Sequence, residues 1–243
     1  MTTPTTDPTP TRPSAADRDG PSGRLTTGMA RLGSRRVWTA SAAVFLVFAG
    51  VFFATSAPFS IPRVEAACGA APLDVRPFST AGDVADFLDA CGADGRAAYR
   101  NLQLADLAYP AVFGLFMASS LALVLTRLLP RHPGAVALAV LPLIAAAFDY
   151  VENVLAWLAL AAYPEPAPTD GLLGLASAAK TTISWIAGVL LVAGLLALGV
   201  RTVRGRIGAG SARPSGLRPL GGGASSERRT RVDAAGTCHF PRR

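Results

Sequence analysis

Residues 134–162 read GAVALAVLPLIAAAFDYVENVLAWLALAA, a run of 29 positions in which Asp149 and Glu152 carry the only charges. A bilayer hydrocarbon core about 30 Å thick is crossed by about 20 apolar residues in a helix, so this run is long enough to span it. A helix is also the form in which a single segment satisfies its own backbone N–H and C=O groups, which lipid cannot do. Three further stretches have the same character: 37–57, 105–129 and 172–200. A tight turn, Pro130 to Pro133, separates the second from the third. A short loop over 163–171, carrying Pro164, Pro166 and Pro168, separates the third from the fourth. The expected fold class is therefore all-α, a membrane four-helix bundle.

Composition agrees. Of 243 residues 51% are hydrophobic and 16% are charged, against about 25% charged in an average soluble domain. The net charge of +7 comes from arginines that flank apolar runs, which is how membrane proteins set orientation. No nucleic-acid reading motif accompanies the charge, so nucleic acid is not an expected partner. With both termini inside, the cytoplasmic side carries six Arg before the first span, Arg127 and Arg131 at the second turn, and ten Arg after the last span. The opposite side carries four: Arg63, Arg76, Arg96 and Arg100. The expectation is a multi-pass plasma-membrane protein with both termini cytoplasmic, its partners the lipid bilayer and, through the basic tails, anionic lipid. Ser34-Arg35-Arg36-Val37-Trp38 has something of a twin-arginine export signal, but the following apolar run exceeds a signal h-region, which favours an uncleaved anchor.

The segments outside the spans differ in character. Residues 1–36 and 201–243 are rich in Pro, Thr, Gly, Ser and Arg without a hydrophobic period, and read as disordered cytoplasmic tails. In the second tail Cys238-His239 lacks the further ligands that a zinc site needs. Residues 58–104 form the one long loop, expected outside the cytoplasm. Within it Thr80, followed by Asp83, begins a capping box. Val84, Phe87, Leu88 and Cys91 then fall at i, i+3, i+4 and i+7, one apolar face of a short amphipathic helix that Gly92 ends. Cys68 and Cys91 lie in this loop and are candidates for a disulfide, which in the chain-entropy description is worth roughly 3 kcal/mol. No C-x-x-C pair is present, which speaks against a membrane thiol oxidoreductase.

Ionisable residues within a span are functional-site candidates by default. In the third span Asp149, Glu152 and Asn153 stand at i, i+3 and i+4 and share one face. Lys180, in the fourth span, lies about 12 Å from that span's start, at a depth similar to the acids. A second polar stripe, Arg96, Tyr99, Gln103 and Asp106, leads into the second span, where Pro110 is expected to bend the helix. Asp106 is expected at the membrane boundary, with Arg96 and Tyr99 above it at the mouth of a pocket. The candidate site is thus Arg96, Tyr99, Asp106, Asp149, Glu152, Asn153 and Lys180. No cofactor fingerprint or metal-ligand spacing accompanies it, so no cofactor and no metal are expected.

The runs Asp94-Gly95-Arg96-Ala97-Ala98-Tyr99, Asp106-Leu107-Ala108-Tyr109-Pro110 and Phe148-Asp149-Tyr150-Val151-Glu152-Asn153 resemble a pattern in small bacterial four-helix integral membrane proteins. The resemblance covers roughly residues 37–200 and implies topology, not activity. Three functions remain open on the residues alone. One is a binding protein with a polar pocket open to the outer side, taking a small ligand or a proton. Another is a membrane enzyme of the lipid isomerase or hydrolase type, in which Glu152, Asp149 and Lys180 supply an acid–base pair. The third is an accessory subunit in which the polar cluster only fixes the helices, with small residues of the fourth span leaving room for a membrane-protein partner.

Overall fold

A computed structural model describes residues 20–211, with side chains to residue 207. Residues to Arg204 form one compact unit; of the second, which begins at Gly205, the described part is the helical end that runs to Ser211. The described residues are helical, without a strand. Among the described residues four helices are long and apolar enough to cross a membrane: Arg35–Ala54, Tyr109–Leu128, Pro133–Ala162 and Asp170–Ile207. Their outward positions carry apolar side chains such as Val47, Val154, Val189 and Leu196. That pattern would be a liability in water and is what contact with lipid tails demands. The chain is a multi-pass membrane protein built as an all-α bundle.

In chain order the helices are α1 (Pro21–Leu32), α2 (Arg35–Ala54), α3 (Ile61–Cys68), α4 (Ala81–Asp106), α5 (Tyr109–Leu128), α6 (Leu141–Ala162) and α7 (Asp170–Ser211). Two 3₁₀ segments, Leu73–Val75 and Pro133–Val140, intervene. Because the spans number four, the segment before α2 and the end of α7 emerge at one end of the bundle, called here the termini face. The opposite end, which carries residues 55–108, is the loop face.

Close packing of the spans follows from small and hydroxyl side chains at their contacts, as is usual where lipid supplies no hydrophobic drive between helices. Between α2 and α5, Ser41 Oγ meets Ser119 Oγ at 2.9 Å and the Trp38 indole N–H donates to Ser120 Oγ at 3.0 Å. Nearer the loop face Phe45 stacks on Phe116, with ring centroids 4.7 Å apart. Arg201 on α7 donates to the Leu128 carbonyl at 2.6 Å, satisfying one of the open carbonyls at the end of α5. The third span opens as 3₁₀ helix because Pro142 lacks an N–H and its ring would crowd the carbonyl four residues back in a continuous α-helix.

Three expectations are corrected. The tail over 1–36 was expected without structure, yet Pro21–Leu32 forms a helix whose Met29 packs against Leu121, Leu125 and Val136 at the termini face. Leu25, Met29 and Leu32 supply the i, i+4, i+7 spacing for it, and Pro21 sits at the helix start where its missing N–H costs nothing. The other tail stays helical from Arg201 to Ser211. The remainder of both tails, including Cys238-His239, lies outside the described residues. The second span begins at Tyr109 rather than 105, because the helix is interrupted at Leu107 and Ala108, both still in the right-handed helical region, just ahead of Pro110.

The long loop folds into a packed cap. The capping box is present: Thr80 Oγ1 accepts from the Asp83 N–H, and Asp83 accepts from the Thr80 N–H at 2.7 Å. Val84, Phe87, Leu88 and Cys91 are all buried, while Asp83, Asp86 and Asp89 are exposed. Gly92 adopts φ +60°, which an L side chain would resist, and kinks α4 into two helical arms. Cys68 and Cys91 are joined by a disulfide that ties α3 to the kink. The loop's apolar residues Val64, Leu73, Val84 and Phe87 share one core with Leu155 and Ala159 of α6 and Leu173 of α7. Gly174 lets the backbone at Ser79 lie directly on α7, where a Cβ would fall into that backbone.

Candidate functional site

Lys180 organises the polar interior. Its ammonium donates to Asp149 Oδ1 at 3.0 Å and to the Asp74 carbonyl oxygen at 2.8 Å, and forms an ion pair with Glu152. The periodicity of α6 places Asp149 and Glu152 one above the other on the face toward α7. On α7, Ser177 lies one turn from Lys180 and donates to Glu152 Oε1. Glu152 is fully buried, and the charges compensate each other as intramembrane ions must.

A second carboxyl enters from the loop. Asp74, in the 3₁₀ turn, is buried, and its Oδ1 accepts from the Tyr99 hydroxyl at 2.9 Å and from Gln103 Nε2 at 3.2 Å. Burial raises the Asp74 carboxyl above its ordinary range, against the opposing pull of the Lys180 ammonium, a backbone hydrogen bond and Tyr99. Burial, with the Asp74 charge beside it, pushes the Tyr99 hydroxyl well above its usual value and keeps it a donor. Asp106, the last residue of α4, is 3% exposed and its Oδ2 has no hydrogen-bond partner. Asn153 Nδ2 donates to the Asp106 carbonyl oxygen at 3.2 Å, which joins α6 to the end of α4.

Of the residues expected at the site, Asp149, Glu152 and Lys180 come into direct contact, Tyr99 reaches them through Asp74, and Asp106 and Asn153 stand alongside. Arg96 does not belong. Its guanidinium lies 4.0 Å from the Tyr163 ring centroid and donates to the Leu88 carbonyl at 2.9 Å. Ten residues of helix place it about 15 Å along the axis from Asp106, beyond the reach of its side chain. Among the described residues no Lys or Arg besides Lys180 lies within ion-pair distance of these acids. Asp74 and Ser177 were missed. Ser177 shares a helix face with Lys180 and was legible by spacing, whereas Asp74 sits in a turn that has no period.

Beside the cluster is a cavity of about 410 Å³, lined by Asp74, Asp106, Asp149 and Lys180 at one side and by Phe52, Phe113, Met117 and Trp185 among its apolar residues. This volume is within the usual span of small-ligand pockets, about 300–1,000 Å³. Buried Ile61 and Asp74 close it toward the loop, and its exposed lining residues are Phe53, Val75 and Trp185. The opening therefore lies sideways between the first and fourth spans, under the cap. Among the described residues no group of three His, Cys, Asp or Glu side chains is disposed to hold a metal ion. No family profile, curated protein or solved structure matches the chain.

Two outcomes follow for the cluster. Lys180→Ala removes one partner of a buried ionic group, a change that typically costs about 3–5 kcal/mol. Adding Glu152→Gln should recover part of that loss in detergent unfolding, because one uncompensated carboxylate is gone; strictly additive losses would show that the two do not interact. The second outcome concerns pH. The folded state raises the Asp74 carboxyl above its unfolded value, so it holds a proton that the unfolded chain releases. The stability from Asp74 is complete below the ordinary carboxyl value of about 4 and declines as pH rises through the raised one. Asp74→Asn keeps an acceptor for Tyr99 and Gln103 but does not titrate. Unfolding midpoints of the two proteins from pH 4 to pH 8 should diverge in favour of the variant, with Asp106, Asp149, Glu152 and Lys180 common to both. Parallel profiles would contradict the assignment.

Proposed function

We propose that this protein is a membrane binding protein whose carboxyl-rich intramembrane pocket takes up a small hydrogen-bond-donating cation, with a proton as the occupant when no ligand is bound. The observation that carries this reading is Asp106, a buried carboxyl on the cavity wall with an unpartnered oxygen. Four carboxyls, those of Asp74, Asp106, Asp149 and Glu152, stand against the single ammonium of Lys180. Ionised together they would leave uncompensated negative charge in a low-dielectric site, which a proton or a cationic donor relieves. Using these groups only to hold helices together would be costly, since interhelical polar contacts in membranes average under about 1 kcal/mol.

The orientation proposed with it puts the loop face outside the cytoplasm, in the plasma membrane, with both termini cytoplasmic and the basic tails near anionic lipid. Eighteen Arg on the termini side against four on the loop side support it. A reporter inserted at Gly82 should behave as exported and one fused after Arg206 as cytoplasmic; the reverse pattern overturns the orientation.

Binding is tested on purified full-length protein with butylammonium chloride as the probe and sodium chloride as the ionic-strength control. The amine should raise the unfolding midpoint saturably in the wild type, as any ligand of the folded state does. Asp106→Asn, which preserves shape, should abolish the increment. An identical response to both salts, or a response that survives Asp106→Asn, would refute cation capture at this site.

A further inference from the structure

We infer that the cavity's occupant is an amphiphile taken from the bilayer itself, a long-chain amine whose protonated head rests against Asp106 and Asp149 while its alkyl chain lies between the first and fourth spans. This rests on the cation-binding reading above and specifies the class of ligand.

Three observations carry it. First, the polar end of the cavity selects the head. An unpartnered carboxyl oxygen of Asp106 and the neighbouring Asp74 and Asp149 favour a charged donor. A phosphate-bearing headgroup would set like charge beside them, at a cost. Lys180 does not offset this, because its ammonium is already engaged with Asp149, Glu152 and the Asp74 carbonyl. Second, most of the rest of the wall is apolar, with Tyr109, Thr181 and Ser184 as its other polar side chains. Phe53 from α2, Phe113 and Met117 from α5 and Trp185 from α7 present a surface that a small hydrophilic cation would leave unfilled.

Third, the opening faces lipid. Phe53 is 46% exposed and Trp185 70% exposed, both on spanning helices, whereas on the loop side Ile61 and Asp74 are buried and Val75 is the exposed lining residue. A second hollow, of about 490 Å³, is lined by Trp38, Phe116, Leu191 and Leu195 on the same three helices, and by Arg35 and Arg127. Phe116 follows Phe113 by one turn on α5, and Leu191 follows Gly188 by one turn on α7. An alkyl chain anchored by its amine would thus run from the carboxyls toward the termini face along a mainly apolar track, past Phe116, Leu191 and Leu195.

The test uses the full-length protein in phosphatidylcholine nanodiscs. Two photoactivatable probes carry the same mid-chain diazirine on a C16 chain, one ending in a primary amine and the other in a hydroxyl. The amine should label peptides bearing Phe113, Met117 or Trp185, and excess unlabelled hexadecylamine should compete. Asp106→Asn should weaken amine labelling by roughly ten- to a hundredfold, as expected for losing a hydrogen bond to a charged group, while leaving alcohol labelling unchanged. Gly188→Leu gives a second handle. Gly188 lines the cavity and a Cβ there meets no atom within 4 Å, so a side chain can fill the track without disturbing the fold. It should reduce long-chain amine labelling. Equal labelling by amine and alcohol, insensitive to Asp106, would mean bulk-lipid contact and would overturn the inference. Saturable, Asp106-dependent butylammonium binding with which hexadecylamine does not compete would also overturn it, while leaving the cation-binding reading intact. If neither amine binds, both readings fall.

Discussion

The ammonium of Lys180 joins three parts of the chain that sequence alone leaves independent. Asp149 and Glu152 come from the third span, Lys180 from the fourth, and the Asp74 carbonyl from the loop. In lipid, spans gain little from burying apolar surface against one another, so polar contacts and close packing carry a larger share of specificity. One ammonium with partners on α6 and in the loop therefore sets how α7 docks on α6 and where the loop comes down. The Ser79 backbone lying on Gly174, two turns from Lys180, completes that docking on the loop side.

The same arrangement creates the pocket. The loop delivers Asp74 into the bundle, and the helix interruption at Leu107–Ala108 leaves Asp106 buried at the end of α4. Each brings a carboxyl that is not among the ion-pair partners of Lys180. Rigidity around them comes from the cap: the Cys68–Cys91 disulfide, the kink at Gly92, and the core of Leu73, Val84, Phe87 and Tyr99. A preorganised wall on the loop side and an opening between two spans make the lipid phase the natural direction of approach.

Much was legible in the residues themselves. Apolar run length and the lipid's inability to bond a backbone lead directly to four helices, because those constraints are local. The capping box at Thr80 and Asp83, the buried face of Val84, Phe87, Leu88 and Cys91, and the stop at Gly92 are equally local. They follow from neighbours three or four residues apart. The contact of Asp149 and Glu152 with Lys180 was reachable by comparing depths along two helices of known rise. The helix over Pro21–Leu32 shows the limit of composition as a guide, since its short apolar spacing lay within a stretch rich in Pro, Thr and Arg.

Tertiary structure alone decided the rest. Asp74 lies in a turn, where no period says which way a side chain faces, and its burial depends on a loop path closed by a disulfide and a glycine contact. Arg96 shared a helical stripe with Tyr99 and Asp106, yet the rise of the helix carried it to Tyr163 and away from the acids. Sequence determined which segments lie in the membrane and which polar residues had to find partners there. Which partners they found, and that an oxygen of Asp106 found none, depended on distances between segments far apart in the chain, which only the folded arrangement specifies.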